Sequence, residues 1–140
     1  MARLDPLVRL RRHAVDEKQK LLAELYRQVE RFEIRRRQFE EEIIKEREAL
    51  EKEKTPEMLA YFGRYSQTVK RDIARIDLEL KKLAVRVAAA QDEVREAFAN
   101  LKRIEIVQKS RQEAEKKEQN AKEVNELDDI AIEGFRRGSE

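Results

Sequence analysis

The second half of the chain carries apolar residues spaced alternately three and four apart, and this spacing limits the fold more than any other feature. It runs from Phe62 to Gln108, and only Ser66 and Gln108 are polar among its fourteen positions. A mean period of about 3.5 residues is that of the buried seam of a coiled coil. A helix removes such a stripe from water by packing along another helix. The sequence therefore predicts an all-α, coiled-coil protein.

Composition favours long helices over a globular core. Of the 140 residues, 44% are charged and 6% are aromatic, so little material is available for a thick apolar interior. The chain has three glycines and two prolines, and almost nothing interrupts a helix between Leu7 and Lys54 or between Glu57 and Gly134.

The first half carries a second, less regular apolar stripe. Four long charged residues interrupt it, and their aliphatic stems can lie along the seam while the charge stays outside. The interruptions are Arg11, Lys18, Arg36 and Glu46. The stripe itself, including Arg36, consists of Val8, Val15, Leu22, Val29, Arg36, Ile43 and Leu50, with Leu4, Leu25, Phe32 and Phe39 beside it.

A break separates the two stripes. Thr55 can cap a helix, Pro56 suits the first helical position, and Glu57 suits the positive end of the helix dipole. A chain that folds back here places residues whose numbers sum to about 110 opposite each other. We therefore expect one domain, 1–140: helix one at about 5–54, a turn at about 54–56, helix two at about 57–133 and a tail at 134–140.

The regular seam of helix two ends where helix one runs out of residues to cover it. Val8 would face Leu101 and Ile104, and the sequence from Gln108 to Glu123 is nearly all polar. This agreement favours a long antiparallel coiled-coil hairpin that is monomeric alone, with helix two projecting beyond helix one.

The residues indicate a binding protein and not an enzyme. His13 is the single histidine and sits in a basic first turn, and the glycines are scattered, so no catalytic group, phosphate loop, metal site or cofactor site is expected. The net charge of +2 is small, and acidic residues surround the run from Arg35 to Arg37, which disfavours nucleic-acid binding. The absence of cysteine and of a long apolar run favours a cytoplasmic protein.

Two ends of the predicted hairpin carry residues that a plain coiled coil does not need. Near the turn, Tyr61, Phe62 and Tyr65 either plug the tip or form a docking surface. At the other end, a basic N-terminal segment joins a helix end that becomes amphipathic again. Its apolar residues include Val124, Leu127, Ile130, Ala131 and Phe135.

Several short motifs give the chain a family resemblance along essentially its whole length. They are Leu4-Asp5-Pro6-Leu7 with Val8, Leu10 and Arg11; Tyr65-Ser66-Gln67-Thr68-Val69; and Asn125-Glu126-Leu127-Asp128-Asp129-Ile130-Ala131 with Phe135-Arg136-Arg137. With these motifs on an uninterrupted hairpin, the chain resembles the flagellar export protein FliJ family.

The resemblance implies a coiled-coil stalk of the flagellar type III export apparatus, similar to the γ stalk of rotary ATP synthases. Such a stalk binds the hexameric export ATPase, promotes its assembly and activity, and links it to the membrane export gate. It acts in flagellum biogenesis and motility, is cytoplasmic and peripheral to the inner membrane, and is linked to export chaperones.

The resemblance also assigns contacts, one set to each end of the hairpin. The ATPase would contact Leu4, Leu7, Arg11, Leu127, Ile130 and Phe135. The gate would contact Tyr61, Tyr65 and Val69, although Asp72 stands where a small apolar residue is expected.

Two other functions remain open on the residues alone. A generic scaffold would straighten the chain at Pro56 and pair two copies along the seam from Phe62 to Ile104. A nucleic-acid-binding rod would use the arginines of the first helix and would show a steep dependence of binding on salt.

Overall fold

The structure, a computed structural model, describes residues 4–138 and contains two α-helices. Helix α1 spans Asp5–Lys52, and helix α2 spans Pro56–Gly138. No strand occurs among the described residues. The chain divides into two units: unit 1 contains residues 1–15 and 96–140, and unit 2 contains residues 16–95.

Unit 2 has the core of an antiparallel coiled coil. The seam of α2 is buried at every seventh residue, at Val69, Ile76, Leu83 and Ala90. Leu83 and Ala90 form one cluster with Leu25 of α1. Partly buried side chains from both helices surround this cluster: Leu22, Val29, Phe32 and Val87. The seven-residue repeat of buried positions confirms the predicted coiled-coil seam.

The polar contacts between the helices of unit 2 establish the antiparallel register. Lys18 Nζ lies 3.1 Å from Glu93 Oε2, and Arg36 Nε lies 2.8 Å from Asp77 Oδ1. The numbers of each pair sum to within a few residues of the expected 110. Lys18 and Arg36 are two of the charges that interrupt the seam of α1, so the interruptions serve as cross-helix partners.

Unit 1 shows the same packing over a shorter length. Val8, Val15 and Ala97 are buried, and Arg12 Nη2 lies 3.7 Å from Glu105 Oε1. Beyond Gln108 every described residue of α2 is exposed, to Gly138. Helix two therefore continues past its packed part, as the sequence predicts.

The helix ends differ slightly from the expected bounds. Helix α1 ends at Lys52, and α2 continues to Gly138, so residues 134–138 are helical where a tail was expected. Gly134 costs a helix only about 1 kcal/mol relative to alanine, and a Cβ added there would meet nothing within 4 Å. A single exposed glycine is therefore too weak a signal to end this helix. Residues 139–140 of the expected tail lie outside the described residues.

Candidate functional site

The start of α2 is held by the cap that the sequence predicts. The Thr55 hydroxyl accepts a hydrogen bond from the backbone N–H of Met58 at 3.2 Å, and the Thr55 carbonyl accepts one from Leu59 at 3.0 Å. These bonds satisfy backbone donors that the first turn of a helix leaves without partners. The cap fixes where the aromatic residues of the next turns lie.

Two tyrosines stack on the surface just after the turn. The ring centroids of Tyr61 and Tyr65 are 6.1 Å apart and their planes differ by 17°. Tyr61 is 47% exposed and its neighbour Leu59 is 54% exposed, whereas Phe62 is partly buried. The two interpretations of the aromatic cluster can therefore hold together, with Phe62 inside and Tyr61 outside, and docking at Tyr61 stays a prediction. We call Leu59, Tyr61 and Tyr65 the tyrosine surface.

Tyr65 also ties the tyrosine surface to α1. Its hydroxyl donates a hydrogen bond to Glu42 Oε2 at 3.3 Å. Burial raises the pKa of Tyr65 above its ordinary value, and the carboxylate of Glu42 raises it further because a second negative charge nearby is unfavourable. The phenol is consequently held neutral, as a hydrogen-bond donor.

Val69, assigned to the gate by the resemblance, lies below this surface. Its side chain is only 3% exposed, and it belongs to the repeating core of the coiled coil. A partner at the tyrosine surface can touch Tyr61 and Tyr65 but does not reach Val69. Nearby, Asp72 is partly buried, with Oδ1 3.9 Å from Arg75 Nη1.

The residues assigned to the ATPase in α1 lie in the packed part of unit 1. Arg11 is partly buried, and so is Leu7. Leu4, just before the helix, is partly buried as well. The Nε atom of Arg11 is buried and has no hydrogen-bond partner among the described residues. Part of each of these side chains is accessible to a partner, and the remainder is buried by packing within unit 1.

The residues assigned to the ATPase in α2 are far more exposed. Leu127 and Ile130 are each 65% exposed, and Phe135 is 78% exposed. Two further apolar residues of the same segment, Val124 and Ile132, are also more than half exposed. We call these five residues the tail surface. Large apolar side chains in this concentration mark an interaction site.

The two sets assigned to the ATPase do not form one patch. Gln108 donates a hydrogen bond to Asp5 at the start of α1. Leu127 lies nineteen residues further along α2, a distance of about 28 Å at the rise of an α-helix. The set in α1 and the tail surface are therefore separate surfaces.

The sequence reasoning missed one exposed surface, on α2 within unit 2. Leu78 is 54% exposed and Val85 is 72% exposed, and basic residues lie beside both. The signal was present, because these two residues also repeat at seven-residue spacing, on a side of the helix that the core seam does not use.

The described residues offer little for chemistry. Residues 4–138 contain no group of three or more His, Cys, Asp or Glu side chains that could hold a metal ion. In the same range, no helix has the length and hydropathy to span a membrane.

Comparison with protein families identifies the chain. The family model described as the flagellar FliJ protein matches residues 1–140. The chain belongs to the FliJ family. A comparison with curated proteins found no match, and neither did a comparison with solved structures.

Membership in the FliJ family gives the chain its general role. FliJ proteins are non-catalytic components associated with flagellar protein export. The partners of this FliJ-family chain therefore belong, in general, to the flagellar export machinery. The family match covers both the tyrosine surface and the tail surface.

Proposed function

We propose that this FliJ-family protein is the stalk of the flagellar type III export apparatus. It binds the hexameric export ATPase, promotes assembly and activity of the ring, and links the ring to the membrane export gate. The observation that carries the proposal is the tail surface. Leu127, Ile130 and Phe135 are each about two-thirds exposed or more on a continuous helix, which suits a protein that binds a partner through this stretch of helix.

A free helix is well suited to a ring. Residues 109–138 form about 45 Å of helix at the usual rise per residue. Because this segment is already helical, a partner need not supply the free energy of ordering it. If the tail surface contacts the closed hexamer more strongly than separate subunits, binding shifts the equilibrium toward the ring. Stimulation of hydrolysis then needs no catalytic group on the stalk.

The α1 set is proposed as a second contact with the ATPase. Leu4, Leu7 and Arg11 are partly buried, so their contribution depends on the packed form of unit 1. A partner carboxylate could pair with the Arg11 guanidinium through its terminal nitrogens, because the Nε atom is buried.

The tyrosine surface is proposed as the contact with the export gate. Tyr61 and Tyr65 are stacked and so lose little freedom on binding, and tyrosine is among the residues that dominate interface energetics. Val69 contributes indirectly, because it is buried in the core that holds α2 against α1. We place the protein in the cytoplasm, at the inner membrane near the flagellar base, with export chaperones as further partners.

The two alternative functions receive less support. In unit 2 the seam that a dimeric scaffold would need is occupied by α1 of the same chain, since Leu83 and Ala90 pack with Leu25. The arginines that a nucleic-acid-binding rod would need are engaged as well. Arg36 pairs with Asp77, and the Arg35 guanidinium lies 4.3 Å from the centre of the Phe39 ring.

Reconstitution with the cognate export ATPase tests the proposal. Hexamer formation and ATP hydrolysis are measured with the full chain, with a form ending at Asn120, and with Leu127→Ser combined with Phe135→Ser. The matched control is Leu21→Ser, which removes a leucine of comparable exposure, 56%, from unit 2. We expect stimulation by the full chain and by the control, and loss of stimulation in the two tail variants.

Three results would count against the stalk. Binding by none of the forms removes the ATPase as a partner. Equal stimulation by the form ending at Asn120 moves the contact away from the tail surface. Hydrolysis by the isolated chain contradicts a non-catalytic role. Gate binding is measured separately, with Tyr61→Ala against the control Tyr26→Ala, a tyrosine of equal exposure on α1.

A further inference from the structure

The surface of α2 that the sequence reasoning missed combines two exposed aliphatic residues with a row of basic ones. Basic residues flank Leu78 and Val85 at helical spacing, and all of these side chains are exposed. The residues at 71, 75, 78, 82 and 85 alternate four and three apart, so they follow one side of the helix. We call this set the outer basic face: Arg64, Arg71, Arg75, Leu78, Lys82, Val85 and Arg86.

Much of the positive charge on the outer basic face is uncompensated. The side chains of Arg64, Arg71 and Arg86 make no ion pair or hydrogen bond with any residue in the range 4–138. Arg75 has only Asp72 at 3.9 Å, and Lys82 has Glu79 at 3.4 Å, both on the same helix. The basic seam residues of α1 differ, since Lys18 and Arg36 are paired across the helices.

The tail has the opposite character. Between residues 123 and 133 it carries five carboxylates and no basic residue. The carboxylates are Glu123, Glu126, Asp128, Asp129 and Glu133, and within the described part of the chain none of them forms an ion pair. The same stretch exposes Leu127 and Ile130. It is an acidic amphipathic helix without a covering partner among residues 4–138.

We propose that the outer basic face binds the tail of a second copy of this chain. Each surface supplies exposed aliphatic side chains and the charge that the other lacks, and opposite charges across an interface select the partner and its register. Both surfaces are exposed in the described chain, so each is available to a second copy. The aliphatic contact is small, and the association is therefore weak and sensitive to salt.

Each copy carries one outer basic face and one tail. Two copies that exchange tails reciprocally form a closed pair with two-fold symmetry, and no open chain results. The expected species is a dimer in equilibrium with the monomer.

The self-association has a consequence that rests on the proposed function. The tail residues that the dimer covers include Leu127 and Ile130, which are proposed to contact the ATPase. The dimer and the ATPase complex are then mutually exclusive, and the ATPase captures the monomer. Self-association itself does not depend on this, because it is measured without the ATPase.

Sedimentation equilibrium of the full chain over a range of concentrations tests the proposal. The unaltered protein should dimerise at low salt and dissociate as salt is raised. Arg71→Glu combined with Arg86→Glu breaks no existing ion pair and should weaken dimerisation by about tenfold or more, because like charges then face each other. Glu123→Lys combined with Glu126→Lys should do the same from the other side, because these carboxylates lie four residues before Leu127 and Ile130 and share their side of the helix.

The combination of all four substitutions is the decisive form, since it restores opposite charges across the contact and should recover dimerisation. The matched control is Lys116→Glu with Lys117→Glu, which makes the same change of charge as the arginine variant but lies outside both surfaces. This control should dimerise like the unaltered chain. Circular dichroism verifies that each form is helical.

Several results would overturn the proposal. These are a monomer at all concentrations at low salt, equal dimerisation of the arginine variant, or failure of the fourfold variant to recover while it remains helical. Vesicles of phosphatidylglycerol and phosphatidylcholine form a separate arm. If the outer basic face binds these vesicles and no dimer forms, its ligand is an anionic lipid surface and not a second copy.

Discussion

Arg36 of α1 donates two hydrogen bonds to the carboxylate of Asp77 in α2, with Nε 2.8 Å from Oδ1 and Nη2 3.5 Å from Oδ2. Arg36 stands at a seam position where an apolar residue would ordinarily pack. Its hydrogen bonds lower the pKa of Asp77, and the coulombic attraction of the guanidinium acts in the same direction. The pair joins the two helices of unit 2 at one defined register.

The first prediction concerns this pair and pH. Because the pKa of Asp77 is depressed in the folded state, its stabilising effect is present above the ordinary aspartate pKa of about 3.9 and is lost as pH falls through the folded value. Asp77→Asn should lower Tm at neutral pH, and the difference from the unaltered chain should disappear in acid. Thermal melts at a series of pH values measure it. Asp92→Asn, which breaks a pair within one exposed turn, should change Tm less.

A second prediction concerns the core. Leu83 is 3% exposed and packs with Leu25 and Ala90, so Leu83→Ala should destabilise the fold by about 2–5 kcal/mol through lost burial and an unfilled cavity. Urea denaturation followed by circular dichroism measures the loss. Leu78→Ala on the same helix is the control, because Leu78 is 54% exposed and should change stability by less than about 0.5 kcal/mol. Equal losses at the two positions would contradict the packing described for unit 2.

A third prediction concerns Tyr65. Burial is the larger cause of its raised pKa and Glu42 the smaller, so Glu42→Gln should lower the pKa of Tyr65 while leaving it above the ordinary value. The ¹³C resonance of the Tyr65 ring, followed through an alkaline titration, reports this pKa. A group whose pKa is raised on folding stabilises the fold below its unfolded pKa of about 10, and the effect is lost as pH rises through the folded value. Tyr65→Phe should therefore make unfolding less dependent on pH in alkali.

A fourth prediction concerns the cap of α2. Thr55→Ala removes the acceptor for the Met58 N–H and should cost about 1 kcal/mol, whereas Thr55→Ser keeps a hydroxyl and should cost much less. Chemical denaturation compares the two variants. If alanine and serine behave alike, the side chain is not an effective cap, and the backbone bond from Leu59 to the Thr55 carbonyl holds the turn alone.

Periodicity predicted the fold well because burial in a coiled coil depends on little else. The seven-residue repeat predicts that Val69, Ile76 and Leu83 are buried, and the ability of Thr55 to cap a helix predicts the position of the turn. The partners of Lys18 and Arg36 could be named only after the register was known to within one residue. An expected sum of about 110 leaves several carboxylates within reach of each charge.

The surfaces were harder to predict than the core. The spacing of the sequence places Val69 in the buried seam, whereas the family resemblance assigns it to the gate; its exposure of 3% agrees with the seam. The sum of about 110 places Leu78 opposite Phe32, but Leu78 is exposed. Its seven-residue spacing with Val85 was visible in the sequence, but two aliphatic residues are too few to stand out as a second stripe on a charged helix. Leu7 and Leu127 could be recognised as separate only once the start of α1 was known to lie beside Gln108, nineteen residues before Leu127.

The seven-residue repeat of the core also sets a direction of winding for unit 2. In seven residues a straight α-helix falls about 20° short of two full turns, so the stripe through Ile76, Leu83 and Ala90 stays covered only if the helices coil in the left-handed sense. Leu78 and Val85 share this repeat and wind with it. A straight partner helix would lose contact with Leu78 and Val85 within a few turns, whereas a partner helix that coils in the same left-handed sense would stay in contact with both.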